Sequence, residues 1–312
     1  MAMKAAIQHD ATTEAVRRRL AGGRVDLASY LFQATLFLSL MAALGILVVL
    51  LVDVVGGALP VFAERGLDFL TAPTSSDAGQ AGVAQGIFGS VVLTVTVAVL
   101  AMPIGVGAAI YLEEYATDTA LTRFLNTLVR NLAGVPAIVY GLLGLAIFAQ
   151  ALGGLTGGRS LIAGALTLAV LVLPIVIITA AEALRAVPAS IREAGFGVGA
   201  TKWEVVRHHV LPYAAPGIFT GTILSLSRAF GETAPLLLVG AVTGGFLVRN
   251  AGVVEQLQGP YTALPTVIFS WTRLPDSGFR ANTAAAIVVL LAVMLLVNAT
   301  AIILRNRYDR RW

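Results

Sequence analysis

Six long apolar stretches constrain this chain more than any other feature. They cover roughly residues 30–55, 86–112, 127–149, 160–183, 216–241 and 282–304. Each is long enough to cross a membrane as a helix, because a helix rises ~1.5 Å per residue and the hydrocarbon core is ~30 Å thick. Charged residues make up only 12% of the chain, against about 25% in soluble domains, so little charge is left to cover a water-exposed surface. The sequence therefore predicts an all-α integral membrane protein with six transmembrane helices.

The first apolar stretch could instead be a secretory signal peptide. Its length of about 25 residues exceeds the roughly 7 to 15 apolar residues of such a segment, and a 29-residue tail precedes it. We therefore expect a spanning helix. The predicted organisation is a tail over 1–29, a first transmembrane helix over 30–55, an extracytoplasmic loop over 56–85, a transmembrane domain over 86–304 and a second tail over 305–312.

The distribution of basic residues predicts the orientation. With the amino terminus in the cytoplasm, fifteen of the 21 Lys and Arg residues fall on the inner side and five on the outer side, while Arg228 lies within the fifth stretch. This is the positive-inside pattern, so both termini are predicted to be cytoplasmic. The pattern also accounts for the net charge of +4 without nucleic acid, whose binding would need a basic face on a soluble fold.

Several kinds of site are excluded by composition or context. The chain has no Cys and only three His, so disulfides, thiol nucleophiles and metal sites are not expected. Residues 153–160, GGLTGGRS, come close to the phosphate-binding loop G-x-x-x-x-G-K-[ST], with Arg159 in place of the lysine. That loop must follow a strand and open a soluble helix, whereas 153–160 joins two predicted spans on the outer side. We interpret it as a turn and expect neither a nucleotide site nor a catalytic residue.

Proline residues interrupt four of the predicted spans. They are Pro103, Pro136, Pro174 and Pro235. Each frees a backbone carbonyl, which lipid tolerates only where helices, side chains or water satisfy it. Kinked helices around a cavity suit a transport path, although membrane helices are rich in proline in any case.

Two segments outside the spans carry weaker signals. Within the outer segment 242–281, residues 264–271 are too short to span but apolar enough to lie at the interface or dip into the protein, with Trp271 as an interfacial anchor. In the amino-terminal tail, Thr12 or Thr13 could cap a short helix.

Arg228 and Glu232 are charged residues inside the fifth apolar stretch. Their spacing of four residues places them on one face of a helix. A charge at mid-bilayer costs ~2.5–3.5 kcal/mol, so such residues usually face a bundle interior or water and mark a pathway. Because a guanidinium presents a planar fork of donors suited to an oxyanion, the pair predicts an anionic substrate. The alternative is an ion pair that only neutralises both charges.

A cytoplasmic segment over 184–213 separates the fourth and fifth stretches. Proline and glycine residues punctuate it, which favours two short helices over one long one. Small residues at Ala194, Gly195 and Gly197 would let a helix approach a partner closely, while Arg192 and Glu193 could set its register. The alternative is an ordinary connecting loop.

This segment resembles the EAA loop of the permease subunits of ATP-binding-cassette importers. That loop reads E-A-A, three residues, G, nine residues, I, one residue, L-P. The matching residues here are Glu193, Ala194, Gly195, Gly199, Leu211 and Pro212. Gly195 stands in place of the third-position alanine and His209 in place of the isoleucine. The resemblance implies that this loop, Arg192 included, couples the chain to an ATPase.

Longer runs are similar to the PstA family of phosphate permeases within this group. They are 187–203, 211–221 and above all 227–238, SRAFGETAPLLL, while 131–146 is similar to a segment shared by PstA and PstC. The resemblance covers roughly 86–307 and implies a type I ABC importer permease fold. In this family the arginine and glutamate of the R-x-x-G-E run are linked to phosphate translocation, and they map onto Arg228 and Glu232.

The resemblance also implies the cellular location and the partners of this chain. It would be a non-catalytic, multi-pass subunit in the bacterial cytoplasmic (inner) membrane, surrounded by membrane lipid and binding no cofactor itself. Its partners would be a PstC-like permease, a PstB-like ATPase dimer that carries ATP and Mg, and a PstS-like phosphate-binding protein. Two alternatives stay open. One is a permease of the same architecture for another oxyanion, such as molybdate or sulfate, and the other is a secondary transporter that needs no ATPase.

Overall fold

The structure, a computed structural model, describes residues 27–241 and 253–309. Those residues form helices and connecting turns with no strand among them, so the all-α prediction is confirmed. Five helices are long and apolar enough to cross a membrane, and a bent pair makes six if it is counted as one span. The possible helix after Thr12 or Thr13, and part of the outer segment 242–281, lie outside the described residues.

We number the helices in chain order. They are α1 Leu27–Arg65, α2 Asp68–Thr71, α3 Ala84–Ile110, α4 Ala120–Ala133, α5 Ala137–Gly144, α6 Gly153–Thr156, α7 Leu161–Arg185, α8 Ala189–Gly197, α9 Lys202–Val205, α10 Leu211–Gly231, α11 Ala234–Val239, α12 Val253–Leu257, α13 Leu264–Trp271 and α14 Gly278–Asp309. π-helical turns over Tyr111–Tyr115 and Leu145–Ala151 extend α3 and α5, and a third over Val206–Val210 joins α9 to α10.

Internal contacts divide the chain into two units, with the boundary after Val54. In the first unit, residues 27–54 form a continuous helix of mainly apolar, exposed side chains, as a lipid-facing helix requires. In the second unit the same helix runs on to Arg65 and ends at Gly66, whose φ of +51° lies in the left-handed region that favours glycine. The connection to α3 is therefore shorter than the loop predicted over 56–85.

The core of the second unit is built on the pairing of α3 with α7. Gly105 of α3 makes this approach possible, since a Cβ there would lie 2.7 Å from Cγ1 of Val176. The buried residues of this pairing include Leu93, Val97, Leu168 and Val172. Close contact through small residues is how helices associate in lipid, where burial of apolar surface gives no driving force between them.

The four span prolines occupy two kinds of position. Pro103 and Pro174 lie inside α3 and α7, whereas Pro136 and Pro235 stand at the starts of α5 and α11. Pro103 also lines a groove of about 420 Å³ between α3 and α10. The second pair therefore breaks helices instead of kinking them.

The predicted third span, 127–149, is a bent pair. α4 and α5 meet at 101°, and the break between them ends at Pro136, which has no N–H to continue the helix. α4 is amphipathic, with Arg123 and Arg130 among exposed polar residues. The prediction of one span here therefore holds only if the pair is counted as one.

The fifth span differs from its predicted range of 216–241 at both ends. One helix runs over Lys202–Gly231, and Glu232 then adopts an extended conformation before α11 begins. Pro212 does not break this helix. The π-helical turn over Val206–Val210 precedes it, and this wider turn accommodates the missing N–H and the proline ring.

α13 follows the apolar run predicted at 264–271, and of its two predicted locations it takes the one inside the protein. Trp271 is only 2% exposed, with its ring centroid 6.3 Å from that of Phe69 and 5.6 Å from that of Phe279. The N–H of Leu264 donates to Oγ of Ser90 at 2.8 Å, which ties the segment to α3. The prediction of Trp271 as an interfacial anchor is wrong, because this aromatic cluster covers the whole ring.

Candidate functional site

The predicted site residues form two clusters at opposite ends of the helix over 202–231. The loop cluster comprises Arg192, Glu193, Ala194, Gly195, Gly199, Leu211 and Pro212. The second cluster is the pair Arg228 and Glu232. Along the helix axis Leu211 and Arg228 are about 25 Å apart, at ~1.5 Å per residue. The structure therefore separates the loop cluster from the charged pair in the fifth predicted span.

Gly195 fixes the position of α8 against its own chain. A Cβ on Gly195 would lie 2.8 Å from Cγ2 of Val205, so only glycine allows α8 this close to α9. Val187, Val205 and Val210 are buried in the same cluster. The close approach expected from the small residues is thus made by Gly195 within the chain, while Ala194 and Gly197 are exposed.

The other face of α8 is open. Glu193 and Ala194 are exposed there, and Phe196 and Val198 expose 49% and 84% of their surface. Gly199, with φ of +83°, ends α8 and turns the chain toward α9. Exposed apolar side chains on a short helix outside the apolar spans suit a protein contact.

Arg192 holds α8 to the end of α3 through Glu114, a residue that the sequence reading missed. Nη2 of Arg192 donates to Oε1 of Glu114 at 2.6 Å, and Nε donates to the same oxygen at 3.2 Å. Nη1 and Nη2 also donate to the carbonyls of Val187 and Leu184, at 2.8 and 2.9 Å. The Arg192 side chain is 24% exposed and that of Glu114 only 8%. Protein atoms thus accept from four of the five N–H donors of the guanidinium.

A second ion pair reinforces this junction. Arg185, the last residue of α7, donates from Nε and Nη2 to the two carboxylate oxygens of Glu113, at 2.9 and 2.7 Å. Nζ of Lys202 lies 5.1 Å from the ring centroid of Tyr115. The π-helical turn over Tyr111–Tyr115 therefore receives α7, α8 and α9 together. Two adjacent acids at the end of an apolar stretch were the signal available in the sequence.

Arg228 and Glu232 are close but only loosely paired. Nε of Arg228 donates to Oε1 of Glu232 at 3.3 Å, and their side chains are 50% and 19% exposed. Arg228 lies in the last turn of α10, whereas Glu232 lies just beyond it in the extended break before α11. The spacing of four residues thus brings the pair together across the end of a helix, not along a continuous face.

Most N–H donors of Arg228 are open. Within the described part of the chain its guanidinium makes only the bond to Glu232, out of five possible donors. Arg228 continues an exposed stripe along α10 that consists of Tyr213, Gly217, Thr220, Leu224 and Gly231. Their spacing of three or four residues places them on one side of the helix. This side carries a cation that its own chain leaves uncovered.

The remaining sequence predictions concern two kinds of site that were not expected, a phosphate-binding loop and a metal site. Residues 153–160 form α6 and a turn through Gly157 and Gly158, both with positive φ, before Ser160 caps α7. No strand precedes this turn, so the phosphate-loop context is missing. Among the described residues there is also no group of His, Asp and Glu that could hold a metal ion.

Curated relatives are named as permease proteins of bacterial transport systems. The chain is 35% identical over 231 residues to the phosphate transport system permease protein PstA 1 of Mycobacterium tuberculosis, covering 74% of this chain and 72% of that one. It is 28% identical to the permease protein PstC of Mesorhizobium japonicum, over 92% and 93% of the two chains. It is 34% identical to the probable ABC transporter permease protein YqgI of Bacillus subtilis, over 58% of this chain and 60% of that one.

Solved structures agree on the fold. The chain of an inward-facing MetNI methionine ABC transporter superposes with a TM-score of 0.57 at 18% identity, over 72% of this chain and 95% of that one. A chain of a bacterial ABC transporter for the acidic polysaccharide alginate gives a TM-score of 0.59 at 15% identity, over 88% and 96%. The fold is therefore that of type I ABC importer permeases. The model of the family of binding-protein-dependent transport system inner membrane components matches residues 101–312, and the chain belongs to that family.

Proposed function

We propose that this chain is a permease subunit that carries inorganic phosphate into the cytoplasm in an ATP-driven importer, by alternating access. The observation that carries the proposal is Arg228, a half-exposed guanidinium in a spanning helix whose donors are mostly open. Relatives named for phosphate transport carry the choice of phosphate over other oxyanions. Membership of the family makes the chain a multi-pass membrane component and not the ATP-hydrolysing subunit.

The chemistry at Arg228 suits a passing oxyanion. Its planar guanidinium can donate two parallel hydrogen bonds to phosphate oxygens. Glu232 orients the guanidinium through Nε and leaves the Nη atoms free. The same carboxylate repels an anion held beside it, so contact with phosphate is weak and brief. High affinity would then come from an external, PstS-like binding protein.

The exposed surfaces suggest where partners dock. The open stripe of α10 needs a cover that leaves room for a solute, and a PstC-like permease facing it would form the passage. The open face of α8, with Glu193 and Phe196, would receive one subunit of a PstB-like ATPase dimer, which supplies the ATP and Mg sites. With these partners, α8 and both termini lie in the cytoplasm.

The ion pairs at the end of α3 give coupling a mechanical path. When the ATPase subunits close, α8 moves with them. Arg192 and Glu114 then transmit that movement to α3, and Arg185 and Glu113 make α7 move together with α3. Charge-assisted, bidentate contacts of this kind resist displacement better than apolar packing that can slide. The passage at Arg228 thereby opens alternately to the two sides.

Uptake of labelled phosphate by the assembled transporter in proteoliposomes tests the proposal. We expect Arg228→Gln to abolish uptake while the complex still assembles, because the variant keeps the size of the side chain but loses its charge. Arg123→Gln, at an exposed arginine of α4, is the matched control and keeps normal uptake. Normal uptake by Arg228→Gln would refute the proposal.

The same assay separates the alternatives. Molybdate or sulfate competing as strongly as unlabelled phosphate would show a permease for another oxyanion. Uptake by vesicles that contain only this chain would show a secondary transporter. The proposal predicts neither result.

A further inference from the structure

A second groove lies on the side of α10 that carries Arg228. It has a volume of about 240 Å³ and is lined by Thr220, Ile223, Leu224, Ser227, Asn298, Ile302 and Arg305, from α10 and α14. Thr220 and Leu224 belong to the exposed stripe that Arg228 continues. Thr220 precedes Arg228 by eight residues, which is about 12 Å along a helix. The groove therefore begins at Ser227, next to Arg228 in the chain, and extends toward the amino-terminal end of α10.

Arg305 is the cation of this groove, and it donates to two neutral side chains. Nη1 donates to Oγ1 of Thr220 at 2.8 Å, and Nε and Nη2 donate to Oδ1 of Asn306 at 3.2 and 3.0 Å. Arg123, Arg185, Arg192 and Arg228 each meet a carboxylate instead. Hydrogen bonds to Thr220 and Asn306 do not cancel the positive charge of the guanidinium, and such neutral partners are readily exchanged for an anion.

A further donor faces the groove from α14. Oγ of Ser227 donates to Oδ1 of Asn298 at 2.6 Å, which leaves the amide N–H₂ of Asn298 without a hydrogen bond in the described part of the chain. Ile223, Leu224 and Ile302 form apolar walls beside it. Such walls lower the local dielectric constant and strengthen attraction between a guanidinium and an anion.

We infer that this groove is a second oxyanion site, at which Arg305 and Asn298 receive phosphate after it leaves Arg228. The inference rests on the proposed function, because the groove and Arg228 lie on the same side of α10. The groove therefore faces the passage only if Arg228 faces it. Phosphate oxygens would accept hydrogen bonds from the N–H groups of Arg305 that now donate to Asn306 and Thr220. The amide of Asn298 would add one donor. Two weak sites in series let an anion move onward without being trapped at either.

Cysteine labelling tests the site, because the chain has no Cys of its own. Leu224→Cys in the assembled transporter places a thiol in the groove, at a position 67% exposed. Leu296→Cys, at an equally exposed position of α14 that does not line the groove, is the control. We expect an anionic methanethiosulfonate to modify the first thiol and not the second, and inorganic phosphate to slow the first reaction. Labelling is read by mass spectrometry of this chain alone.

Arg305→Gln then shows whether the guanidinium binds the anion. The phosphate concentration that gives half-maximal protection should rise about tenfold, the effect of losing one charge-assisted hydrogen bond. Arg307→Gln, two residues further on, should leave it unchanged. Two results would overturn the second site. One is a Leu224→Cys thiol that reacts with the methanethiosulfonate as little as Leu296→Cys does. The other is equal protection by phosphate with Arg305 and with Arg305→Gln. The proposed function would stand in that case provided that Arg228→Gln still abolishes uptake, and it fails if Arg228→Gln transports normally.

Discussion

Two arginine–glutamate pairs in this protein have the same chemistry and opposite surroundings. Arg192 and Glu114 are joined at 2.6 Å with the carboxylate only 8% exposed, and two backbone carbonyls take further N–H groups of the arginine. Arg228 and Glu232 are joined at 3.3 Å by one contact, and the arginine is half exposed. The first guanidinium has four of its five donors bonded within its own chain, whereas the second is held at one atom and open elsewhere.

This difference separates a structural role from a binding role. A saturated, buried ion pair holds parts together, and losing one partner leaves a buried charge without compensation. An open guanidinium contributes little to folding and keeps its donors for a solute. The state of the donors, more than the presence of an arginine in an apolar stretch, therefore supports the proposal that Arg228 lies on the transport path.

The largest expected effect is on the closed pair. Glu114→Ala should destabilise the assembled protein by about 3 kcal/mol, at the lower end for breaking a buried ion pair because Arg192 keeps some exposure. Arg192→Ala should cost a similar amount, and the double variant less than the sum. Thermal unfolding in detergent measures the three variants, while the ratio of ATP hydrolysed to phosphate imported should rise in each.

The two single variants and the double variant form a double-mutant cycle. The control is the same cycle at the exposed pair Asp118 and Arg123, joined at 2.7 Å with side chains 82% and 64% exposed. Its interaction should be below about 0.5 kcal/mol, as for most surface ion pairs. Equal interaction terms in the two cycles, or an unchanged coupling ratio in Glu114→Ala, would remove Glu114 from the coupling path.

A smaller effect is expected at the open pair. Glu232→Gln keeps a hydrogen-bond acceptor for Arg228 but removes the negative charge that repels phosphate. The anion should stay longer, and the maximal uptake rate should fall about fivefold, or ~1 kcal/mol, with no change in the unfolding temperature. Glu232→Asp, which retains the charge, serves as control. A marked loss of stability in Glu232→Gln would mean that this pair is structural too.

Apolar length and short motifs predicted much of the fold from the sequence. Runs of 20 or more apolar residues fix spans because lipid offers the backbone no other partner. Such counting does not detect a break within a run: Glu232 and Pro136 end helices inside stretches that composition presents as continuous. It also does not choose between an interfacial helix and an internal one, so both locations were predicted for 264–271, while the burial of Trp271 against Phe69 and Phe279 was not predicted.

For the site, sequence reasoning found charges but not their partners. Arg228 and Glu232 are four residues apart, so their proximity was predictable. Glu113 and Glu114 meet arginines 72 and 78 residues away, and no local pattern reveals a contact of that range. For the same reason Arg192 was predicted to set the register of a docking helix, whereas its guanidinium is used within the chain.

The most direct test of the account is a cryo-electron microscopy map of the assembled transporter in phosphate. We predict a passage beside α10 in which phosphate density lies about 3 Å from the Nη atoms of Arg228, within hydrogen-bond distance. A guanidinium closed off from any passage, with its open donors taken by a carboxylate of a partner chain, would contradict the central claim.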